Sequence, residues 1–141
     1  MKDSNNSKLL ITGTVAFDDI ETPKGSSGKI IGGAGTYISL AASIFSKRIS
    51  LISVIGDDFL EEDIKMLQLK SINTDMIERI DGEKSFYWKG RYHSNFKTRD
   101  TLVTELNALE KFNPVVNQSS KNADIVMLGN LHPSVQLSVL D

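Results

Sequence analysis

The chain has 141 residues, 40% of them hydrophobic, a formal charge of −2 and no cysteine, which makes one domain with an ordinary core and excludes disulfides and thiolate metal sites. The charge gives no electrostatic reason for a nucleic-acid or anionic-membrane partner. No apolar run approaches the roughly 20 residues that span a bilayer, and the polar start Met1-Lys2-Asp3-Ser4-Asn5-Asn6-Ser7 is unlike a signal peptide, so a cytoplasmic location is expected.

In chain order, Leu9-Leu10-Ile11-Thr12 reads as a short buried strand closed by Gly13. A polar segment with Pro23 at its turn follows, from Asp18 to Ile31, and does not fit a core layer. The run Gly32-Gly33-Ala34-Gly35-Thr36-Tyr37 then opens a helical pattern. Glycines there permit close backbone approach, and a helix start offers unpaired N–H groups and a positive dipole end to a polar ligand. Tyr37, Ile38, Ala41, Ala42 and Phe45 follow helical spacing, with Leu40 and Ile44 widening that face and Thr36, Ser39, Ser43 and Ser46 falling between. Ile49 to Ile55 is nearly continuous aliphatic sequence, as in a strand covered on both faces. Asp58, with Glu61 three residues on, has the form of a helix N-cap, and Leu60, Ile64 and Leu67 give that helix its apolar stripe.

From Ser85 to Thr104 the period is two: Phe86, Trp88 and Tyr92 alternate with Tyr87, Lys89, Arg91 and His93. Such a segment is either a surface hairpin with a solvated charged side or a small β-lid over a ligand site. Asp124 to Gly129 is another short buried strand, and His132 to Asp141 begins a helix with Pro133 in its first turn and shows no C-terminal cap. These elements predict an α/β fold with a parallel sheet of Leu9–Thr12, Ile49–Ile55 and Ile125–Leu128. The two unplaced segments, Asp18–Ile31 and Ser85–Thr104, are expected to pair with one another outside it.

Ile11-Thr12-Gly13-Thr14-Val15-Ala16-Phe17-Asp18, the glycine run at Gly32, and Leu51-Ile52-Ser53-Val54-Ile55-Gly56-Asp57-Asp58 occur in an order that resembles the N-terminal half of PfkB (ribokinase-like) sugar and nucleoside kinases. The resemblance implies a ribokinase-like layered fold with a small β-lid, residues 8–141 forming its N-terminal part and the lid insertions lying at about 18–31 and 85–104. It implies an ATP- and Mg2+-dependent phosphotransferase acting on a hydroxyl of a sugar or nucleoside, with a homodimer through the lid as a further expectation. Asp18 stands at the family's hydroxyl-binding carboxylate, and an ionised carboxylate suits two adjacent hydroxyls. As a residue alone, Asp18 also suits a turn or cap. Gly32 and Gly33 match the family's glycine pair, and Tyr37 replaces a usual asparagine in substrate binding. Asn130 is placed either at the ligand crevice or as a helix cap before Pro133, and Arg91 and Tyr92 belong to the lid. Gly56-Asp57 matches a turn whose role is structural.

The family's phosphoryl transfer uses a Gly-Ala-Gly-Asp motif near the C-terminal end, and none exists in the 141 residues. The chain is therefore expected to carry a substrate site without catalytic residues, metal ligands or a nucleotide site, and to be inactive alone. Two other readings stand beside this one. Gly33-Ala34-Gly35 before a helix, with Asp57 about 20 residues on, suits a Rossmann-type dinucleotide-binding domain, although Ile38 holds the third glycine position. A non-catalytic kinase-like remnant is the other.

Overall fold

A computed structural model describes residues 7–141, and residues 1–6 of the polar start, read above as unlike a signal peptide, lie outside the described residues. The elements are β1 (Leu9–Thr12), β2 (Ala16–Thr22), β3 (Gly25–Gly32), α1 (Ala34–Ala42), β4 (Ile49–Gly56) and α2 (Glu61–Gln68). They continue with β5 (Ile72–Ile80), β6 (Phe86–Tyr92), β7 (Arg99–Glu105), a 3-10 turn (Asn107–Lys111), β8 (Ile125–Leu128) and α3 (Pro133–Ser138).

The aliphatic runs pair as parallel strands. Leu9 lies opposite Ile49 on one side and Ile125 on the other, so β1 sits between β4 and β8. The sheet order is β5-β4-β1-β8, with β5 a fourth parallel strand absent from the sequence reading. One face of this sheet packs Ile11, Leu51 and Ile49 against α2 through Ile64 and Leu67. The other packs Leu10, Ile52 and Val54 against Ala108, Phe112 and Val139.

The two remaining segments pair with each other outside that layer, in the order β3-β2-β6-β7. Strand β2 runs parallel to β6 and antiparallel to β3, with Asp18 opposite both Trp88 and Ile30. The strands begin at Ala16, two residues before the expected insertion, and Asp18 lies within β2 rather than in a turn. Trp88 belongs to this second sheet and not to the core clusters of the first.

Three local expectations are corrected. Helix α1 packs Ile38, Leu40 and Ala42 on the core as the spacing predicts, but its most buried side chains are Thr36 and Ser39, at most 1% exposed, whereas Ile44 and Phe45, beyond its last turn, are 75% and 71% exposed. Small side chains let a helix lie close to a sheet, and that closeness here outweighs apolar burial. Asp58 does not cap α2. The helix starts at Glu61, the Leu60 N–H donates to Asp63 Oδ2, and Leu60 is exposed. Asn130 does not cap α3 either, because His132 is the capping residue and its ring accepts from the Ser134 N–H. Among the described residues no helix is long and apolar enough to cross a membrane.

Candidate functional site

Ligands in open α/β sheets collect at the carboxyl ends of strands where the winding reverses. That point lies between β1 and β8. From β1 the chain passes through α1, on the face of Leu9 and Ile11, to β4. From β8 it passes into α3, whose Val135 packs on the opposite face with Leu10 and Ile52. The residues following both strands, Gly13 to Asp18 and Gly129-Asn130, therefore border the crevice.

Thr14 organises it. Its side-chain Oγ1 accepts from the Ala34 N–H at 2.9 Å and its carbonyl from the Gly35 N–H at 2.8 Å. Ser53 on β4 supports the same exit from β1, accepting from the Val15 N–H and donating to the Gly13 carbonyl. Gly33 precedes the helix at φ 93°, and a Cβ there would stand 2.3 Å from the Thr14 carbonyl oxygen. Only glycine fits that conformation and that contact.

Asp18 is half-buried, with its carboxylate folded back over Gly32, where a Cβ would lie 2.0 Å from Oδ2. Burial raises its pKa above the ordinary carboxylate value, and a hydrogen bond from the Gly33 N–H pulls the other way. The N–H groups of Gly33, Ala34 and Gly35 are thus all engaged by the protein, by Asp18 and Thr14. This corrects the expectation that the glycine run offers them to a ligand. What the run holds is the carboxylate of Asp18.

The second sheet sorts the other candidates by face, because successive side chains alternate. Asp18, Ile20, Trp88, Gly90 and Tyr92 share one face by register. The indole of Trp88 lies over Gly90, its N–H reaching Thr101 Oγ1 at 3.3 Å, with the Arg99 guanidinium 5.4 Å from the ring. Arg91 projects from the opposite face and pairs with Glu21 at 2.8 Å, while Lys89 bridges Glu21 and Asp19. The hydrogen bond from Lys89, then that from Arg91, lowers the Glu21 pKa. Arg91 is therefore not brought together with Asp18, and Tyr92 is on Asp18's face. Tyr37 stands one turn into α1 and is 53% exposed; Asn130 is exposed beyond β8. Trp88 and Thr14 were missed as site residues. The parity shared by Phe86, Trp88 and Tyr92 was the available signal for the first, and the threonine directly after Gly13 for the second.

The junction between the sheets is built from the pair of acids after β4. Asp57 accepts from the Gly82 N–H, and Asp58 accepts from the Ser85 N–H, both at 2.7 Å, and from Lys29 Nζ at 3.0 Å. Burial raises the Asp58 pKa, but the hydrogen bonds from Ser85 and Lys29 outweigh it and the net shift is downward. Lys29 also lies 3.9 Å from the Phe17 ring centre, and Phe17 packs on Phe59 at 5.1 Å.

Among the described residues no group of three or more His, Asp or Glu is placed to hold a metal ion. The dinucleotide reading fails, because β3 before the glycines is an antiparallel strand of the second sheet and not a core strand of a βαβ unit.

No family model matches the chain, and no curated protein matches it. Solved structures do. A nucleoside kinase of Methanocaldococcus jannaschii, described as an archaeal member of the ribokinase family, aligns with 96% of this chain at TM-score 0.73 and 18% identity. Ribokinase from Cryptococcus neoformans in complex with ADP aligns with 87% at 0.62 and 18% identity. A Burkholderia thailandensis nucleoside kinase in complex with inosine aligns with 74% at 0.63 and 13% identity. The chain spans 48%, 40% and 38% of those three chains respectively. Its layered parallel sheet with a second mixed sheet is the ribokinase-like fold.

Proposed function

We propose that this chain is the substrate-binding N-terminal portion of a PfkB-type kinase that transfers phosphate from ATP to a hydroxyl of a sugar or nucleoside. The carrying observation is Asp18, a half-buried carboxylate held over Gly32 at the crevice between β1 and β8. When ionised it accepts hydrogen bonds from two neighbouring hydroxyls, each worth about 1.5–3 kcal/mol. Gly32 and Gly33 hold that carboxylate in place, and Tyr37 and Asn130 border the ligand. The second sheet acts as the lid, with Tyr92 and Trp88 on the ligand face and Arg91 fixing its outer face through Glu21. Two lids meeting in a homodimer belong to the same reading.

The neighbours' ADP and inosine give the reading its ligand classes. ATP and Mg2+ would be held by parts of the fold beyond those this chain spans, as would the base that deprotonates the acceptor. The 141-residue chain alone is therefore expected to bind but not to phosphorylate. Titrating ribose and inosine into the wild type and Asp18→Ala tests the binding claim. A loss of at least tenfold in affinity without a fall in Tm is expected, since about 1.4 kcal/mol corresponds to tenfold. Equal affinities for the two proteins would retire Asp18 as a ligand. Product formation from ATP and either compound by the chain alone would refute its inactivity.

A further inference from the structure

The rim of the first sheet where its strands begin lies away from the Asp18 crevice by the length of β1, about 13 Å at the rise of a strand. Lys8 precedes β1, and Lys47 and Arg48 precede β4. The Leu9 N–H donates to the Arg48 carbonyl at 2.9 Å, which sets Lys8 beside Arg48. These three cations line one open cavity of about 370 Å³, together with Ser50, Ser71 and Ser120. Among the described residues no Asp or Glu lines it. Asp124 stands close by on the Lys8 main chain, where its carboxylate accepts from the N–H at 3.0 Å.

Part of this charge has a structural use. Helices α1 and α2 end at this rim, helix carboxyl ends attract cations, and Lys47 Nζ donates to the Ser43 carbonyl at 2.8 Å. Lys8 belongs to neither helix, and its Nζ donates to Asn122 Oδ1 at 3.1 Å. Both acceptors are neutral. An ammonium has three donors, so each lysine keeps its charge and two donors for a ligand. Ser71 stands in the left-handed region at φ 64°, where glycine is the usual residue. A serine there sets a hydroxyl in the cavity wall at a cost in backbone strain.

We infer that this cavity binds the phosphate group of a small solute, either the free ion or a phosphate monoester. Cations of one sign lining a cleft focus a positive potential there. A guanidinium and two ammonium groups, with hydroxyl donors between them, match the charge and the several acceptor oxygens of a phosphate dianion. A monocarboxylate has one charge and two oxygens, and would leave most of these donors unmet. The volume is at the lower end of small-molecule sites. With a net charge of −2, the chain offers no extended positive surface for a nucleic-acid backbone to follow. The cavity lies at the far end of the strands from Asp18, so a failure of sugar binding leaves this site standing.

Calorimetric titration of inorganic phosphate and of glycerol 3-phosphate into the chain, at mildly alkaline pH and low ionic strength, tests this. Saturable binding of one ligand per chain is expected. Lys8→Gln with Lys47→Gln should weaken it at least tenfold, since one charge-assisted hydrogen bond carries about that factor. Lys24→Gln with Lys97→Gln removes the same charge from exposed turns of the second sheet and should leave the affinity unchanged. Ser71→Gly should raise Tm, because glycine suits φ 64°, and yet lower the affinity severalfold by removing the hydroxyl. Tighter binding of glycerol 3-phosphate assigns a monoester as the occupant, and equal or weaker binding assigns the free ion. Absence of binding by both ligands overturns the proposal. Equal weakening by the two lysine pairs also overturns it, because the attraction is then only that of the chain's overall charge. Should the Lys8 and Lys47 double variant lose its circular dichroism, Ser71→Gly decides, and an unchanged affinity ends the proposal.

Discussion

The carboxylate of Asp18 occupies the space that a side chain on Gly32 would need, with Oδ2 2.0 Å from the position of a Cβ there. The missing side chain at Gly32 is what leaves room for the acid. Gly32→Ala should push the carboxylate out of the crevice and lower ribose or inosine affinity about as much as Asp18→Ala does. In an Asp18→Ala background the same change should do little, because the two positions share one interaction and their effects are not additive. Calorimetric titration of the four proteins measures this, and additive losses would show that Gly32 acts independently.

The two carboxylates at the crevice and the junction should depend on pH with opposite sign. Burial raises Asp18 above its ordinary 3.8, so the folded state binds its proton more tightly than the unfolded chain. Its stabilising contribution is present below pH 3.8 and is lost as pH rises through the raised value. Asp58 is lowered below 3.8, so its contribution is present above that pH and lost as pH falls through the lowered value. Asp18→Asn should therefore raise Tm at pH 7, and Asp58→Asn should lower it, with both gaps narrowing toward about pH 3. Thermal melts across that range decide, and matching signs at pH 7 would contradict this assignment.

The core sheet was legible because β1, β4 and β8 are almost wholly aliphatic, a pattern that strands covered on both faces share with little else. Strand β5 was not, since Asn73, Asp75, Glu78 and Arg79 give an edge strand the look of a loop. The inward face of α1 was legible only in part, through Ile38, Leu40 and Ala42, for a related reason. Hydrophobic spacing marks the side that buries most apolar area, but Thr36 and Ser39 are inside because the helix lies close to the sheet. Asp18 was identified by resemblance, whereas its placement on a strand beside Trp88 depended on pairing between segments about 70 residues apart. Local sequence carries no record of such a register.

Asp58 joins the sheets, and Trp88, the single tryptophan, reports on the second one. Asp58→Ala removes the acceptor for the Ser85 N–H and for Lys29, charge-assisted bonds whose loss should cost about 2 kcal/mol. In urea, the tryptophan fluorescence transition of this variant should precede the far-UV circular dichroism transition, since non-coincident probes reveal separate unfolding of a part. In the wild type the two should coincide. Coincident transitions in both proteins would mean that the junction is held mainly elsewhere, with the Phe17–Phe59 contact the next place to look.

The entry to α1 should show a graded response. Thr14→Val keeps the shape of a buried side chain but removes the Oγ1 that accepts from the Ala34 N–H. Loss of a side-chain cap typically costs about 1–2 kcal/mol, and here the N–H left behind is partly buried. Thr14→Ser retains the acceptor and should lose less than half as much. Gly33→Ala is a different matter: φ is 93°, and the new methyl would stand 2.3 Å from the Thr14 carbonyl oxygen, so backbone strain and a backbone clash act together. Each strained position of this kind costs about 1–3 kcal/mol before the clash is counted, and the chain cannot relieve one without worsening the other. The stability order should be wild type, then Thr14→Ser, Thr14→Val and Gly33→Ala. Urea denaturation followed by circular dichroism measures it. If Gly33→Ala proves as stable as Thr14→Ser, the helix can start without this conformation, and the tight packing of α1 on the β1 exit is not what holds Asp18 in place.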